Sequence, residues 1–353
     1  MKKYRILVLG ASYGSLLGIK LALAKHDVDL VCLPQEVELI NKEGAIIRLP
    51  IRDKNKVIEL RSKDCSGNLS ALGPSDVDIS SYDLIALAMQ EPQYGADDIA
   101  PLLKEIGLSK KPCMSIMNMP PLPYVARIQG LDISRLNDAY TKPEVWQYFD
   151  SNCVTLCSPD PQAFRPPDES INVLQVGLPT NFKAARFESD QHTQILRDLQ
   201  GDVEKIKYDL DEEEIDLPVK LKVHDSIFVP LAKWSMLLSG NYRCVRAENA
   251  VAIKEAVHSD LAYSEKIYSW VGSIATKLGA IQSDQVPFDK YAKAAESLIR
   301  PSSAARALFS GAKNIERVDK LIKLIAIQIG EDTQLIDPII QEVDRRLEIN
   351  RSL

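Results

Sequence analysis

Apolar and polar positions in the first thirty-odd residues follow an order that predicts strand, turn, helix and strand. Apolar residues run from Ile6 to Leu9, the run ends at Gly10, and a helical pattern continues to Ala24. A second apolar run covers residues 28–33. This order is typical of a βαβ unit whose first turn opens onto a helix N-terminus. Such a turn can hold a pyrophosphate, because the first helical amides lack partners and the helix dipole adds positive charge.

The glycines of this turn match a dinucleotide-binding loop when one residue is deleted from the usual Gly-x-Gly-x-x-Gly spacing. Without a gap, Gly10 is followed by serines at the second and third glycine positions; with the deletion, Gly10 and Gly14 are the first and third glycines. We favour the deletion because Gly14 and Gly18 then share the helix face that packs on the strand. The alternative is a βαβ unit without a ligand. The residues that we predict to contact a dinucleotide are Gly10, Ser12, Tyr13 and Gly14.

Strand and helix patterns continue to alternate along the first half of the chain, which predicts a doubly wound, mainly parallel α/β sheet of the Rossmann type. We expect residues 154–156 and 173–178 to be later strands of that same sheet. The acidic run 209–214 is interpreted as a solvated connector and not as a metal cluster. The other predicted elements are helices at 37–42, 99–106 and 190–205, a strand pair at 45–49 and 56–60, and strands at 82–88 and 113–117.

Beyond Leu217 the pattern changes to long segments of helical periodicity. They predict a purely helical second domain with helices near 221–241, 246–279, 287–297, 302–309, 313–329 and 334–348. We therefore divide the chain into a Rossmann-like dinucleotide-binding domain, residues 1–215, and a helical substrate and dimerisation domain, residues 216–353.

Composition narrows the class of protein further. The chain has 353 residues and a net charge of −6, which argues against a nucleic-acid partner. No apolar window is long enough for a membrane helix, and the chain enters its first strand directly after Met-Lys-Lys, so we expect no membrane association and no secretory signal. Six scattered cysteines and four histidines predict reduced thiols, no metal site and a cytoplasmic location.

Four segments, taken in order, resemble the ketopantoate reductase family. LGASYGSLLGIKLALAKHDVDLVCLPQEVELINKEGAII is similar to the family's opening, and SIMNMPPLPYVARI to its strand ending in Asn-Gly, with Asn118 at the asparagine. LAKWSMLLSGN is similar to its Lys-x-x-x-Asn-x-x-x-Asn helix, with Lys233 and Asn241 at the lysine and second asparagine. RPSSAARALFSG resembles its Ser-Ser-Met-Leu-Gln-Asp pattern, with Ser302 and Ser303 at the serines.

The resemblance implies an enzyme that transfers hydride from a nicotinamide cofactor, NADP in preference to NAD, to a small 2-oxo acid. It also implies Lys233 as general acid, a role that suits an ammonium group because it polarises a carbonyl and then gives up a proton. Asn118, Asn241 and Ser303 would orient cofactor and substrate, and Ser302 or Ser303 could instead cap the following helix. Paired helical domains in such dehydrogenases imply a homodimer.

Several positions depart from the family pattern. Leu33 stands where an arginine would hold a 2′-phosphate, and no acidic residue replaces it, so the choice between NADP and NAD stays open. Leu237 replaces the first asparagine of the lysine helix. The family's Thr-Glu-Ile-Asp motif falls within residues 313–319, and its glutamate aligns with Ile315, Glu316 or Arg317, depending on the gap. These changes predict a divergent relative with another substrate or a weakened catalyst.

Two alternatives therefore stay open. One is an opine-type or 3-hydroxy-acid dehydrogenase, in which His224 and Asp225 could supply an imidazole. The other is a dinucleotide-binding protein of the same fold that has lost turnover.

Overall fold

The predicted βαβ unit is present at the start of the chain. In the computed structural model, which describes residues 2–353, it comprises β1 (Arg5–Leu9), α1 (Tyr13–Leu23) and β2 (Asp27–Val31). β1 and β2 pair in parallel, with Leu9 opposite Val31. The helix is buried along nearly its whole length, which explains why its sequence is apolar all round.

An eight-stranded sheet forms the core of this half of the molecule, in the order β14-β11-β8-β7-β6-β1-β2-β5. All its neighbours are parallel except β8 and β11. The sequence prediction of a doubly wound, mainly parallel sheet is confirmed. The remaining strands are β5 (Leu69–Leu72), β6 (Leu84–Leu87), β7 (Cys113–Ile116), β8 (Val154–Ser158), β11 (Phe182–Ala185) and β14 (Leu221–His224), and the helices of this half are α2 (Pro34–Glu43), α3 (Ala100–Ser109), α4 (Leu122–Val125) and α5 (Asp190–Glu204).

A second sheet contains four strands in the order β4-β3-β10-β9. They are β3 (Ile46–Ile51), β4 (Lys56–Arg61), β9 (Gln162–Phe164) and β10 (Val173–Leu178). The prediction that residues 173–178 belong to the main sheet is wrong, because β10 pairs in parallel with β3 and antiparallel with β9.

The acidic run 209–214, predicted to be a solvated connector, is largely exposed and forms most of a hairpin. β12 (Lys207–Leu210) pairs with β13 (Glu213–Asp216), and the turn between them places Asp211 and Glu212 at positive φ. Its carboxylates lie largely in solvent, and Lys56 and Lys54 pair with Asp211 and Glu213.

The C-terminal part is helical, as predicted, but its first two segments differ. The segment predicted as one helix at 246–279 forms two, Ile253–His258 and Leu261–Lys277. Residues 221–241 are not one helix: 221–224 form β14 at the edge of the main sheet, and α6 (Lys233–Met236) is followed by a π-helical turn, Leu237–Asn241. The other helices are α7 (Ile253–His258), α8 (Leu261–Lys277), α9 (Phe288–Ala295), α10 (Ser303–Phe309), α11 (Val318–Gln328) and α12 (Asp337–Ser352).

The chain folds into two compact units that interleave in sequence. The first comprises residues 1–89, 96–124 and 145–227, and the second comprises 90–95, 125–144 and 228–353. The sequence prediction divides the chain at 215/216, whereas the last division between these units follows Ile227, because β14 belongs to the main sheet. Over residues 2–353, no helix combines the length and apolarity needed to cross a membrane.

Candidate dinucleotide-binding and active-site residues

The turn after β1 lies at the carboxyl edge of the main sheet, where open α/β sheets bind ligands. The Gly10 amide donates a hydrogen bond to the Val31 carbonyl at 2.8 Å, which ties the turn to the end of β2. Gly10 has a φ of +102°, and a Cβ atom there would lie 2.9 Å from the Ala88 carbonyl oxygen. Glycine is therefore required here by conformation and by space.

Gly14 and Gly18 face the sheet, as the gapped alignment predicts. A Cβ atom on Gly14 would lie 2.7 Å from Cγ1 of Val8, and one on Gly18 would lie 3.0 Å from Cδ1 of Leu69. The two glycines let α1 pack closely on the strands, which is the role of the third glycine in dinucleotide-binding loops.

The N-terminus of α1 has neither a side-chain cap nor an acidic residue in its first turn. Ser12 is the N-cap residue but its hydroxyl accepts no hydrogen bond from the first turn, which begins at Tyr13 and contains no acidic residue. The first turn of this eleven-residue helix therefore adds no negative charge to the positive helix end, which faces the Gly10 turn. These features fit a pyrophosphate, so Gly10, Ser12, Tyr13 and Gly14 are the residues that would hold it.

Leu33 lies just beyond the carboxyl end of β2, and its apolar side chain is 63% exposed. Three residues later, the buried Glu36 accepts a hydrogen bond from the Leu33 amide at 3.1 Å and forms an ion pair with Arg165. Arg165 follows β9 and is separated from β2 by more than 130 residues, so no sequence pattern around β2 could have indicated it.

Asn118 occupies the position that the sequence predicts for it. β7 ends at Ile116, and the asparagine follows two residues later, before the stiff Pro120-Pro121 segment. Its side chain is half-buried at the same carboxyl edge as the Gly10 turn, because β7 runs parallel to β6 and β6 parallel to β1.

In the second unit, Lys233 and Asn241 lie at the two ends of a continuous but irregular helical segment. Lys233 begins α6, Asn241 ends the π-helical turn, and both side chains are partly exposed. Eight residues exceed two turns of α-helix, which take 7.2 residues. The wider π turn takes up that excess, which favours one common face, and π turns are frequent at functional sites.

The serines of the Arg300–Gly311 segment divide their roles. Ser302 is the N-cap of α10: its hydroxyl accepts the Ala305 amide at 3.1 Å and donates to the Asn241 carbonyl oxygen at 2.7 Å. Ser303 is the first helical residue and is exposed. The capping role therefore belongs to Ser302, which also joins α10 to the end of the π turn.

A buried carboxyl group at Glu91 is a feature that the sequence analysis missed. The Thr141 amide and hydroxyl both donate to Glu91 at 3.0 Å, and burial raises the pKa of its carboxyl to about 7. The negative charge of Glu316 adds to this increase in pKa. The sequence feature that could have indicated Glu91 is its position shortly after β6, in Met-Gln-Glu-Pro.

Among the three candidates for the family's late glutamate, only Glu316 supplies a carboxylate near Glu91. Ile315 is buried and apolar, and Arg317 is engaged by Asp319 at 2.9 Å and by Asp344 at 2.5 Å. The Glu316 backbone is fixed by Tyr242, whose hydroxyl donates to the Glu316 carbonyl oxygen at 2.5 Å. Tyr242, which directly follows the π turn, therefore links that turn to the segment that carries Glu316.

The His224-Asp225 pair does not have the arrangement of an oriented imidazole. His224 ends β14, and the carboxylate of Asp225 is 81% exposed and paired with Arg197 at 2.6 Å. A carboxylate that orients a catalytic histidine is buried against the ring.

Comparison with known proteins identifies the fold. No protein-family model and no curated protein sequence matches the chain. Among solved structures, it is similar to D-mandelate dehydrogenase with NADH and anilino(oxo)acetate (13% identity, 98% and 99% of the two chains covered, TM-score 0.65). It is also similar to 2-dehydropantoate 2-reductase from Methylococcus capsulatus (13%, 99% and 97%, 0.64) and to a dimeric ketopantoate reductase from Staphylococcus aureus (11%, 98% and 99%, 0.61).

These similarities extend over essentially the whole chain in each case. The chain therefore has the ketopantoate reductase fold, a Rossmann-type domain followed by helices, and the family resemblance of the four sequence segments is supported at the level of the fold.

Proposed function

We propose that this chain is an NAD(P)H-dependent reductase of a small 2-oxo acid or a related carbonyl compound. The observation that carries the proposal is the Gly10–Gly14 turn: a glycine at positive φ, close helix–sheet packing and an uncapped helix N-terminus meet at the carboxyl edge of the sheet. Its support from outside the chain is the fold shared with D-mandelate dehydrogenase and 2-dehydropantoate 2-reductase.

When bound, the reduced nicotinamide cofactor supplies the hydride. Lys233 would hold the substrate carbonyl oxygen through its ammonium group, stabilise the negative charge that develops there, and donate the proton that completes the alcohol. Asn241 and Ser303 would bind the substrate's polar groups, and Asn118 would orient the nicotinamide. The π turn supports this assignment because it favours a common face for Lys233 and Asn241.

The buried Leu237 explains why the substrate is expected to differ from ketopantoate. It lies in the π turn where the family pattern has an asparagine, so it offers no hydrogen bond. Loss of one hydrogen-bonding group from a polar pocket typically costs about 1–3 kcal/mol for a substrate that needs it. We therefore expect a substrate with a less polar group at this position.

Titration with NADPH and NADH, followed by nicotinamide fluorescence, tests the proposal. Saturable micromolar binding is expected, and a panel of 2-oxo acids with alkyl and aryl substituents should then yield cofactor oxidation. Failure to bind either dinucleotide would exclude the reductase. Binding without oxidation by any member of the panel would favour a dinucleotide-binding protein that has lost turnover.

We further propose that the chain acts as a homodimer in the cytoplasm. The support is the dimeric ketopantoate reductase of Staphylococcus aureus, which shares the fold. Sedimentation equilibrium that returned the monomer mass of 39.3 kDa at micromolar concentration would contradict the dimer.

A further inference from the structure

We propose that Arg165 recognises the 2′-phosphate of NADPH and makes this chain selective for NADPH over NADH. The inference rests on the proposed dinucleotide function and adds to it the residue that sets cofactor preference. It assigns this task to a segment far from β2 in sequence, in place of the arginine that Leu33 replaces.

The position of Arg165 follows from the βαβ unit. In Rossmann folds, the ribose next to the adenine lies at the end of the second strand, where an acidic residue accepts its 2′-hydroxyl or an arginine binds its 2′-phosphate. Arg165 reaches the start of α2, directly after β2, through its ion pair with Glu36. Its charge also acts on the thiol of Cys32, the first residue after β2.

Glu36 is the acidic residue at this end of β2, but its geometry makes it a poor acceptor for a ribose hydroxyl. One carboxylate oxygen caps the helix by accepting the Leu33 amide, and the other pairs with Arg165. The carboxylate is buried, so a ribose hydroxyl would have to displace one of these partners. Within this pair the guanidinium is the more accessible group, because its side chain is 34% exposed and that of Glu36 only 7%.

The guanidinium of Arg165 is both reachable and held in place. Its side chain is 34% exposed, and only Nη2 is used in the ion pair, so Nε and Nη1 retain donors that suit phosphate oxygens. Two prolines follow it directly, and a few residues later Glu169 pairs with Arg48 at 2.5 Å. The loop that carries Arg165 is thus pinned on both sides, which limits the entropy lost on binding.

The test compares dissociation constants of NADPH and NADH for the unmodified protein and for Arg165→Gln. We expect NADPH to bind about tenfold or more tightly than NADH, and Arg165→Gln to lose about tenfold or more of the NADPH affinity with NADH unchanged. Glu36→Gln keeps an oxygen for the Leu33 amide and removes a negative charge, so NADPH should bind at least as tightly.

Arg48→Gln is the matched control, because it removes the second ion pair of the same loop without touching β2. It should leave NADH affinity unchanged and lower NADPH affinity far less than Arg165→Gln does, because it loosens the loop but keeps the guanidinium. 2′,5′-ADP should displace NADPH from the unmodified protein and from Arg48→Gln, whereas 5′-AMP should not. Arg165→Gln should lose this discrimination between the two nucleotides.

Several outcomes would overturn the inference. Equal weakening of NADPH and NADH by Arg165→Gln would make the arginine a structural link between the β9 loop and α2. Preference of the unmodified protein for NADH would remove the inference and leave the reductase proposal standing. Binding of neither cofactor would remove both.

Discussion

Lys20 donates a hydrogen bond from Nζ to the carbonyl oxygen of Pro218 at 3.1 Å, although its side chain is only 1% exposed. The lysine lies on α1, the same helix whose N-terminus faces the Gly10 turn. Burial lowers the pKa of its ammonium group to about 7, and the positive charge of Lys220 acts in the same direction. The helix central to the proposed cofactor site therefore contains a group that resists being charged.

Lys20→Met is expected to make protein stability less dependent on pH. Because the folded pKa lies below the unfolded one, the unfolded chain binds the proton more tightly, and the free energy of unfolding of the unmodified protein rises between pH 7 and 10. The free energy of unfolding of Lys20→Met minus that of the unmodified protein should therefore fall by about 1 kcal/mol per pH unit. Urea unfolding at pH 7, 8 and 9 measures this, with the exposed Lys42→Met as control. A constant difference across this range would contradict a neutral buried lysine.

Glu91→Gln is expected to have the opposite pH signature. The folded pKa of the carboxyl, about 7, exceeds its ordinary value, so its contribution to stability is complete near pH 4 and is lost as the pH rises through 7. The free energy of unfolding of Glu91→Gln should therefore rise, relative to that of the unmodified protein, by about 1 kcal/mol per pH unit between pH 5 and 7. Thermal unfolding across that range tests it, beside Glu105→Gln on the exposed face of α3. Parallel curves for all three proteins would argue against the raised pKa.

Gly10→Ala should weaken dinucleotide binding. The added methyl group would sit 2.7 Å from Cγ of Met89 in a backbone conformation that alanine disfavours, so the turn must shift, at a cost of about 1–3 kcal/mol in stability. Gly201→Ala is the matched control, because Gly201 lies within α5 with open space around it and alanine favours helix there. We expect at least a tenfold loss of cofactor affinity for the first variant and none for the second. Unchanged affinity of Gly10→Ala would show that the turn is not the binding site.

Lys233→Met should lower kcat by about 10²–10⁴-fold with the substrate found in the panel, because it removes the proposed proton donor. Cofactor affinity should change little. Lys254→Met, on the exposed face of α7, serves as a control for loss of a helix lysine in the same unit. Stopped-flow measurement of cofactor oxidation separates the chemical step from product release, and an undiminished rate for Lys233→Met would exclude it as general acid.

Local patterns in the sequence are sufficient to predict the first βαβ unit, the β3–β4 hairpin and the helices after residue 280. Each depends on hydrophobic periodicity or on turn residues within about twenty positions. The packing of Gly14 and Gly18 could be predicted for the same reason, since both follow from the helical repeat.

Features that depend on distant pairing could not be predicted. β14 has only four residues, and its place in the sheet is set by pairing with β11. The pattern of β10 predicts a strand but does not indicate which neighbour it pairs with, so the predicted place in the main sheet is wrong. The ion pair of Arg165 with Glu36 joins residues that only the folded β9 loop brings together.

The interleaving of the two units has a consequence for how the chain is synthesised and dissected. Residues 90–95 and 125–144 leave the ribosome long before the helices they pack with, and Glu91–Thr141 and Asp132–Gln328 hydrogen bonds are both internal to the second unit. A C-terminal fragment beginning at residue 228 would lack both segments. Neither unit is therefore a contiguous module that a single cut could release, and separate expression of the two halves should yield at least one product unable to complete its core.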